Sequence, residues 1–526
     1  MKVLPSGAVF FILITAVVLA AALAWLVAAL YQRRMLALMR GGAAPEQTAI
    51  MDAAPQAQVA QAPAWNSAVT FASNQRASTR LMLSLGGISL LIALSQAWLA
   101  LLFVYNDRDF SLNRILVLGA VYAWPMVLAW GLARRWSWLR ILGNIALYML
   151  LMLAVVMLRS TAAQTLLSVS GWLFSQAIIP VSITLLIGAS GRIRAVAPYL
   201  LPPTLLLTAS SVLTLQVMAQ RVQDPTSWVI SLANIFGAYP TLLLFVLGPW
   251  LIMAWPVVQL GKWLARAYRA KFFSDLNYLI AVYWLLILFA SALPGMEGVG
   301  PWTFVQLLPW LWLPLLLLAL RDQLKPPAGP PTLLVLRVFQ RDAQVELLFD
   351  QVIERWRLTG NTVLIAGTDL LSRTLDPDDL FVYLNGALSE RFIANPAQLT
   401  ERIASFDWQP DPDGRYRINE CYCFDSTWQS AVHALVEHSA VVLMDLRGFR
   451  PENKGCRFEL GVLAAASHLR RVVVLYDQAT DRAVAESDIK ANINPVAAGR
   501  IHWLPADRMD SAMAGRTLAA LFSTAN

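Results

Sequence analysis

The chain has 526 residues, of which 57% are hydrophobic and only 14% charged, with a net charge of +8. Soluble domains run nearer about 45–50% apolar and roughly 25% charged, so an ordinary soluble protein is excluded. The charge is also uneven: 20 basic and 7 acidic residues up to Arg321, then 21 basic and 26 acidic beyond it. The basic excess lies in the apolar half, whereas nucleic-acid binding wants it on a soluble face, so that class is disfavoured.

A membrane-spanning helix needs about 20 apolar residues. Such stretches are expected near 7–30, 81–105, 114–133, 139–158, 165–189, 197–219, 228–258, 276–295 and 302–320, giving about nine spans over residues 1–321. The first is longer than the hydrophobic region of a signal peptide and ends in Arg33-Arg34, which marks an anchor. Residues 41–79, rich in Ala, Gln and Pro, read as a disordered linker.

Basic residues fall in every second loop: Arg33, Arg34, Arg40, Arg76 and Arg80; Arg134, Arg135 and Arg140; Arg192 and Arg194; Lys262, Arg266, Arg269 and Lys271; Arg321 and Lys325. By the positive-inside rule, this predicts a multi-pass protein of a bacterial-type inner membrane, N-terminus outside and C-terminus in the cytoplasm. Trp136, Trp138, Trp228 and Trp302 fit an aromatic belt at the membrane surface. The span centres hold no Asp, Glu, Lys or Arg, which counts against a transporter. Prolines such as Pro202, Pro249 and Pro256 leave that reading open, because broken helices can line a substrate path. The bland alternative is that neighbouring helices satisfy the backbone groups the prolines free.

Residues 322–331 are a Pro-rich, stiff spacer. From 332 to 526 strands alternate with helices: strands at Leu333–Phe339, Thr362–Ala366, Ala440–Leu446 and Arg471–Tyr476. Helices are expected over Gln344–Leu358, from Asp376 to about Phe392, from a capping box at Ser426–Gln429 to His438, and over Cys456–His468. Between them lies an irregular stretch containing Asp411-Pro-Asp-Gly414. The alternation predicts a doubly wound parallel sheet, whose ligands sit beyond the carboxyl ends of the strands.

One strand end concentrates chemistry: Asp445-Leu-Arg447-Gly-Phe-Arg450 runs into Asn453-Lys-Gly455-Cys456-Arg-Phe458-Glu459-Leu460-Gly461. Glu459 is expected in the first turn of the next helix, where the helix dipole favours its carboxylate. It reads either as a helix-start acid or as a nucleophile or electrostatic stabiliser. Arg447 and Arg450 read as solvated arginines or as phosphate holders.

The run from Asn453 to Gly461 resembles the nucleophile segment of nucleoside deoxyribosyltransferases and the C-x-x-E-L segment of TIR domains. The opening strand, followed by Arg341-Asp342, is similar to a TIR start. The resemblance covers about 150 residues and implies a TIR-like, flavodoxin-like fold, with Glu459 as the catalytic residue acting on an N-glycosidic bond. It further implies a nucleotide-type ligand, NAD among them as substrate, met by Phe339, Arg341, Asp445, Arg447 and Asn453. The activities implied are those of an NAD glycohydrolase or a nucleoside deoxyribosyltransferase-like glycosidase in a signalling or defence protein; in that reading the membrane half anchors, clusters or senses, and a homo-oligomer is one expectation. Two other readings stand beside it: a non-catalytic scaffold that binds a partner or nucleotide, and a transporter with a regulatory domain.

Remaining motifs weigh less. His433 and His438 have no partner at triad or metal spacing. Cys421, Cys423 and Cys456 read as free thiols of a reducing compartment, and no metal site is expected from them. Neither a phosphate-binding P-loop nor a dinucleotide glycine fingerprint occurs.

Overall fold

A computed structural model describes residues 6–41, 65–103, 105, 111–159, 164–189, 191–295, 299–338, 343–367, 377–492 and 498–523. The chain forms two units. One comprises Met1–Ala29, Ser84–Leu318 and Asp376–Phe381; the other Leu30–Leu83, Ala319–Leu375 and Val382–Asn526.

Among the described residues, nine helices are long and apolar enough to cross a bilayer. They are Gly7–Arg40, Phe71–Phe103, Leu112–Ala133, Trp138–Arg159, Leu166–Ile187, Ile193–Arg221, Ala238–Arg269, Asp275–Ala292 and Trp302–Ala319. The chain is therefore of the multi-pass membrane type. The expected segment 228–258 is two elements, because Gly237 takes φ +90 and ends the short helix Trp228–Phe236 before the seventh span starts. Only glycine enters that region without strain.

Two prolines inside the spans free carbonyls that neighbouring side chains take up. Pro249 has no N–H to give the Phe245 carbonyl, which instead accepts the Thr214 hydroxyl at 2.6 Å. One residue on, the Val246 carbonyl accepts Ser211 Oγ at 2.7 Å, and Ser211 in turn accepts the Trp250 indole N–H at 2.8 Å. Pro202 likewise frees the Pro198 carbonyl, which accepts the Tyr278 hydroxyl at 3.1 Å. Each freed carbonyl would otherwise be unpaired in an apolar medium, at several kcal/mol by order of magnitude. The prolines named here are thus built into the packing.

The second unit holds a seven-stranded sheet in the order β3-β4-β2-β1-β5-β6-β7. Its strands are β1 Thr332–Arg337, β2 Asn361–Ile365, β3 Phe392–Ile393, β4 Ile418–Cys423, β5 Val441–Asp445, β6 Arg471–Tyr476 and β7 Ile501–Pro505, and every pairing is parallel. The intervening helices are α1 Ala343–Leu348, α2 Pro377–Leu384, α3 Pro396–Ala404, α4 Trp428–Glu437, α5 Lys454–Ala465, α6 Arg482–Asn492 and α7 Ser511–Phe522. Two cores cover the two faces. Leu334 and Leu336 join α4 and α5 on one, and Leu333 and Val335 join α1 and α7 on the other. Burial on both faces explains the unbroken apolar runs of β1, β5 and β6.

Several expected boundaries move. The first helix of the domain reaches only Leu348 as α-helix, continues as a π turn over Phe349–Ile353 and closes with Glu354–Trp356. Gly360 follows because any Cβ there would meet the Trp356 indole. The helix expected to run to Phe392 stops at Leu384; Gly386 turns the chain at φ +78 and Phe392 opens β3. Asp376 lies outside the described residues. No capping box forms at Ser426–Gln429. Thr427 sits at the N-cap, and its hydroxyl accepts the Phe424 N–H and donates to the Ile393 carbonyl.

The irregular stretch before β4 is held by buried charge. Glu354 pairs with Arg357 and Arg415 at 3.1 Å each, Asp413 with Arg415 at 2.8 Å, and Asp411 with Arg417 at 2.8 Å.

The segment before the second span differs most from expectation. Residues 42–64 of the expected linker lie outside the described residues, but 65–79 are ordered. Trp65 and Val69 are buried in the β1/β5 core, and Phe71 already begins the second span. The Trp65 N–H donates to the Val69 carbonyl at 3.1 Å, and the Arg470 guanidinium lies 5.3 Å over its ring. Asn66 ties the Pro-rich spacer down, donating its backbone N–H to the Gly329 carbonyl and its side-chain amide to the Ala328 carbonyl, both at 3.0 Å. The end of the first helix belongs to the same unit, with the Tyr31 hydroxyl 3.2 Å from that of Tyr422.

Trp65→Ala should therefore lower the stability of the sheet domain by about 3–5 kcal/mol, the usual cost of emptying a buried indole site. Denaturant unfolding of the full chain in detergent, followed by far-UV signal, checks this. An unchanged midpoint would mean that residues 65–69 are not part of the core.

Candidate functional site

From β1 the chain winds outward through β2 to β4 and β3; it then returns to β5 on the other side of β1 and winds away through β6 and β7. The winding direction reverses between β1 and β5, and such a switch point opens a crevice beyond the strand ends. The last paired residues there are Arg337 and Asp445, both charged and both buried.

The Asp445 carboxylate accepts Nε of Arg447 at 2.8 Å and Nη2 at 2.6 Å, a two-pronged pair closed further by the Arg447 backbone N–H at 3.2 Å. Arg447 Nη2 also donates to the Gln344 carbonyl at 3.3 Å. Arg447 is thus neither a solvated arginine nor presented as an open phosphate fork; it is buried and engaged by its own strand end. Breaking such a pair leaves a buried charge behind. Asn453 stands at the N-cap of α5 without a side-chain capping bond; its Oδ1 instead accepts the Arg450 N–H at 2.7 Å, closing the loop that enters α5. Gly448, at φ +70, turns this loop and donates its N–H to Asp477 at 3.0 Å.

Among the site residues, Glu459 departs furthest from expectation. Helix α5 starts at Lys454, two residues earlier than read from the sequence, so Glu459 lies in the second turn rather than the first. The dipole falls off within the first turn, and burial decides its ionisation instead. The side chain is 3% exposed, and among the described residues no donor reaches its Oε2. Burial pushes the carboxyl up to about 8, against the opposing pull of the Arg337 guanidinium. Cys456, one turn before it, lies with Sγ 3.9 Å from the Arg337 carbonyl. Burial raises this thiol, and the Glu459 and Asp445 carboxylates raise it further, so it is no thiolate nucleophile.

The site therefore gathers Arg337, Asp445, Arg447, Cys456 and Glu459 at one junction. Phe339 and Arg341 lie outside the described residues, as do 368–376 after β2. Arg337 was not singled out in the sequence, although an arginine inside the apolar run Leu333–Phe339 is a signal of its own, because a charge buried there needs compensation. Chemically, a neutral carboxyl in an apolar setting can donate a hydrogen bond or a proton at pH 7. A cationic ligand group beside it would favour the carboxylate. Among the described residues no cluster of His, Cys, Asp and Glu fits a metal ion.

Comparison with protein-family models, with curated proteins and with solved structures finds no match to this chain. The likeness of the 453–461 segment stands on those residues alone.

The raised Glu459 carboxyl has a pH signature. At low pH both folded and unfolded chains hold the proton and the site carries no penalty. As pH rises from the ordinary carboxyl range, the unfolded chain releases it first, so stability falls until pH about 8 and is flat above. The loss is on the order of a few kcal/mol. Glu459→Gln, which cannot ionise, should match the parent near pH 5 and exceed it increasingly up to pH 8 in thermal unfolding. Parallel curves for the two proteins would contradict the burial argument.

Proposed function

We propose that this is a membrane-anchored signalling protein whose α/β domain, on the cytoplasmic side, takes a nucleotide-type ligand at the β1/β5 switch point. Glu459 is the group that acts there on an N-glycosidic bond of the NAD or nucleoside class. The carrying observation is the convergence of Arg337, Asp445 and Glu459 on that junction, with a buried carboxyl whose Oε2 meets no donor among the described residues. The alternating basic loops support an N-terminus outside and a bacterial-type inner membrane.

In this reading the proton on Glu459 has a use. An N-glycosidic bond breaks with positive charge growing on the sugar, and a carboxyl poised between its two forms can donate to the ligand or, once ionised, stabilise that charge. A cationic nicotinamide ring would itself promote the ionised form. Glu459 is buried, so a substrate reaches it only when the side chains packed around it move aside.

That same closure favours a second reading, in which the domain binds a nucleotide or partner without chemistry. Full-length protein in detergent, incubated with NAD or deoxynucleosides and assayed for released base, separates the two. The sheet domain alone is a poor test object, since residues 65–69 belong to its core. Catalysis predicts base release that falls by at least ~100-fold in Glu459→Gln, with ligand binding kept. Binding without any product, equal in both proteins, would establish the second reading and remove the first.

A further inference from the structure

Where the Pro-rich spacer enters the sheet, two polar side chains stand inside the core. Thr332 opens β1 and its register partner Asn361 opens β2, and each is only 1% exposed. Their main-chain groups are paired. The Thr332 carbonyl accepts the Ala440 N–H at 3.0 Å, and the Asn361 N–H donates to the Pro331 carbonyl at 2.9 Å. The Asn361 carbonyl accepts the Trp356 indole N–H, also at 2.9 Å. Their side chains differ: among the described residues no partner reaches Thr332 Oγ1, Asn361 Oδ1 or Asn361 Nδ2. A buried polar group left in that condition costs on the order of 1–3 kcal/mol.

Both side chains lie on one face of the sheet. Side chains alternate along a strand, and two residues further on Leu334 and Val363 both join the core beneath α4 and α5. Adjacent strands are about 4.8 Å apart, so the hydroxyl and the amide are neighbours. Yet they make no bond to each other. Two groups this close, each lacking a partner, are spaced for a bridging water. Thr362 supplies the contrast. It is fully buried and its Oγ1 also lacks a partner, but it faces the opposite core. Its register partners there are the apolar Leu333 and Ile418, which can share no water with it.

We infer that Thr332 and Asn361 form a binding site for ordered water. One molecule accepts the Thr332 hydroxyl proton in a hydrogen bond and donates to Asn361 Oδ1, while Nδ2 of the same amide offers a further donor. Buried waters ordinarily hold about two to four such bonds to groups that have no other partner. The bridge fastens β1 to β2 at the end where the spacer joins them.

Valine keeps threonine's branched shape without its hydroxyl, so the sign of a Thr→Val effect reports whether the hydroxyl is bonded. In thermal unfolding of the full-length protein in detergent, Thr332→Val breaks a bond to water and should lower Tm by about 2–4 °C. Thr362→Val removes a hydroxyl with no partner and should raise it. An electron cryo-microscopy map fine enough to show ordered water should carry a peak between Thr332 and Asn361. A Tm for Thr332→Val at or above the parent's, or an equal fall in both variants, would overturn the inference. So would a map with the two side chains in direct contact, or with no peak between them.

Discussion

Charge taken out of water at the junction of β1 and β5 is the constraint on which the domain's character depends. Arg337, Asp445, Arg447 and Glu459 are all buried there. Asp445 and Arg447 compensate each other through a two-pronged pair, whereas Glu459 is compensated by holding its proton. A core built for stability alone would favour apolar residues of similar size, because buried charge costs desolvation that pairing seldom exceeds. Retaining four ionisable groups at a switch point is an arrangement expected of a ligand site.

The membrane half solves a different problem with uncharged groups. Its spans carry hydroxyls that take up carbonyls freed by proline, as Thr214 does for Phe245 and Tyr278 does for Pro198. Such bonds hold kinked helices without placing charge in the bilayer.

Much of this was legible in the sequence, for physical reasons that differ by element. The spans were visible because a bilayer demands long apolar runs, and β1, β2, β5 and β6 because strands buried on both faces are apolar throughout. The remaining strands hid for opposite reasons. β4 carries Asn419 and Glu420, polar residues whose burial depends on partners elsewhere, such as the Asp407 N–H donating to Asn419 at 2.8 Å. β7 is half-exposed and β3 spans two residues. Trp65 was illegible because its partners lie hundreds of residues away. At the site, the sequence located Glu459 but misjudged its state: a helix starting two residues earlier moves it out of the dipole's reach, and burial then reverses the expected ionisation.

At the proposed site one neutral carboxyl, Glu459, is the group offered to a ligand. Infrared difference spectra of the full-length protein at pH 7, recorded with and without NAD, observe that group directly. A protonated-carboxyl stretch that shifts or vanishes when NAD is added, and that is missing from Glu459→Gln, is the predicted result. A carboxyl signal that ignores the nucleotide, or that survives unchanged in the glutamine variant, would contradict it.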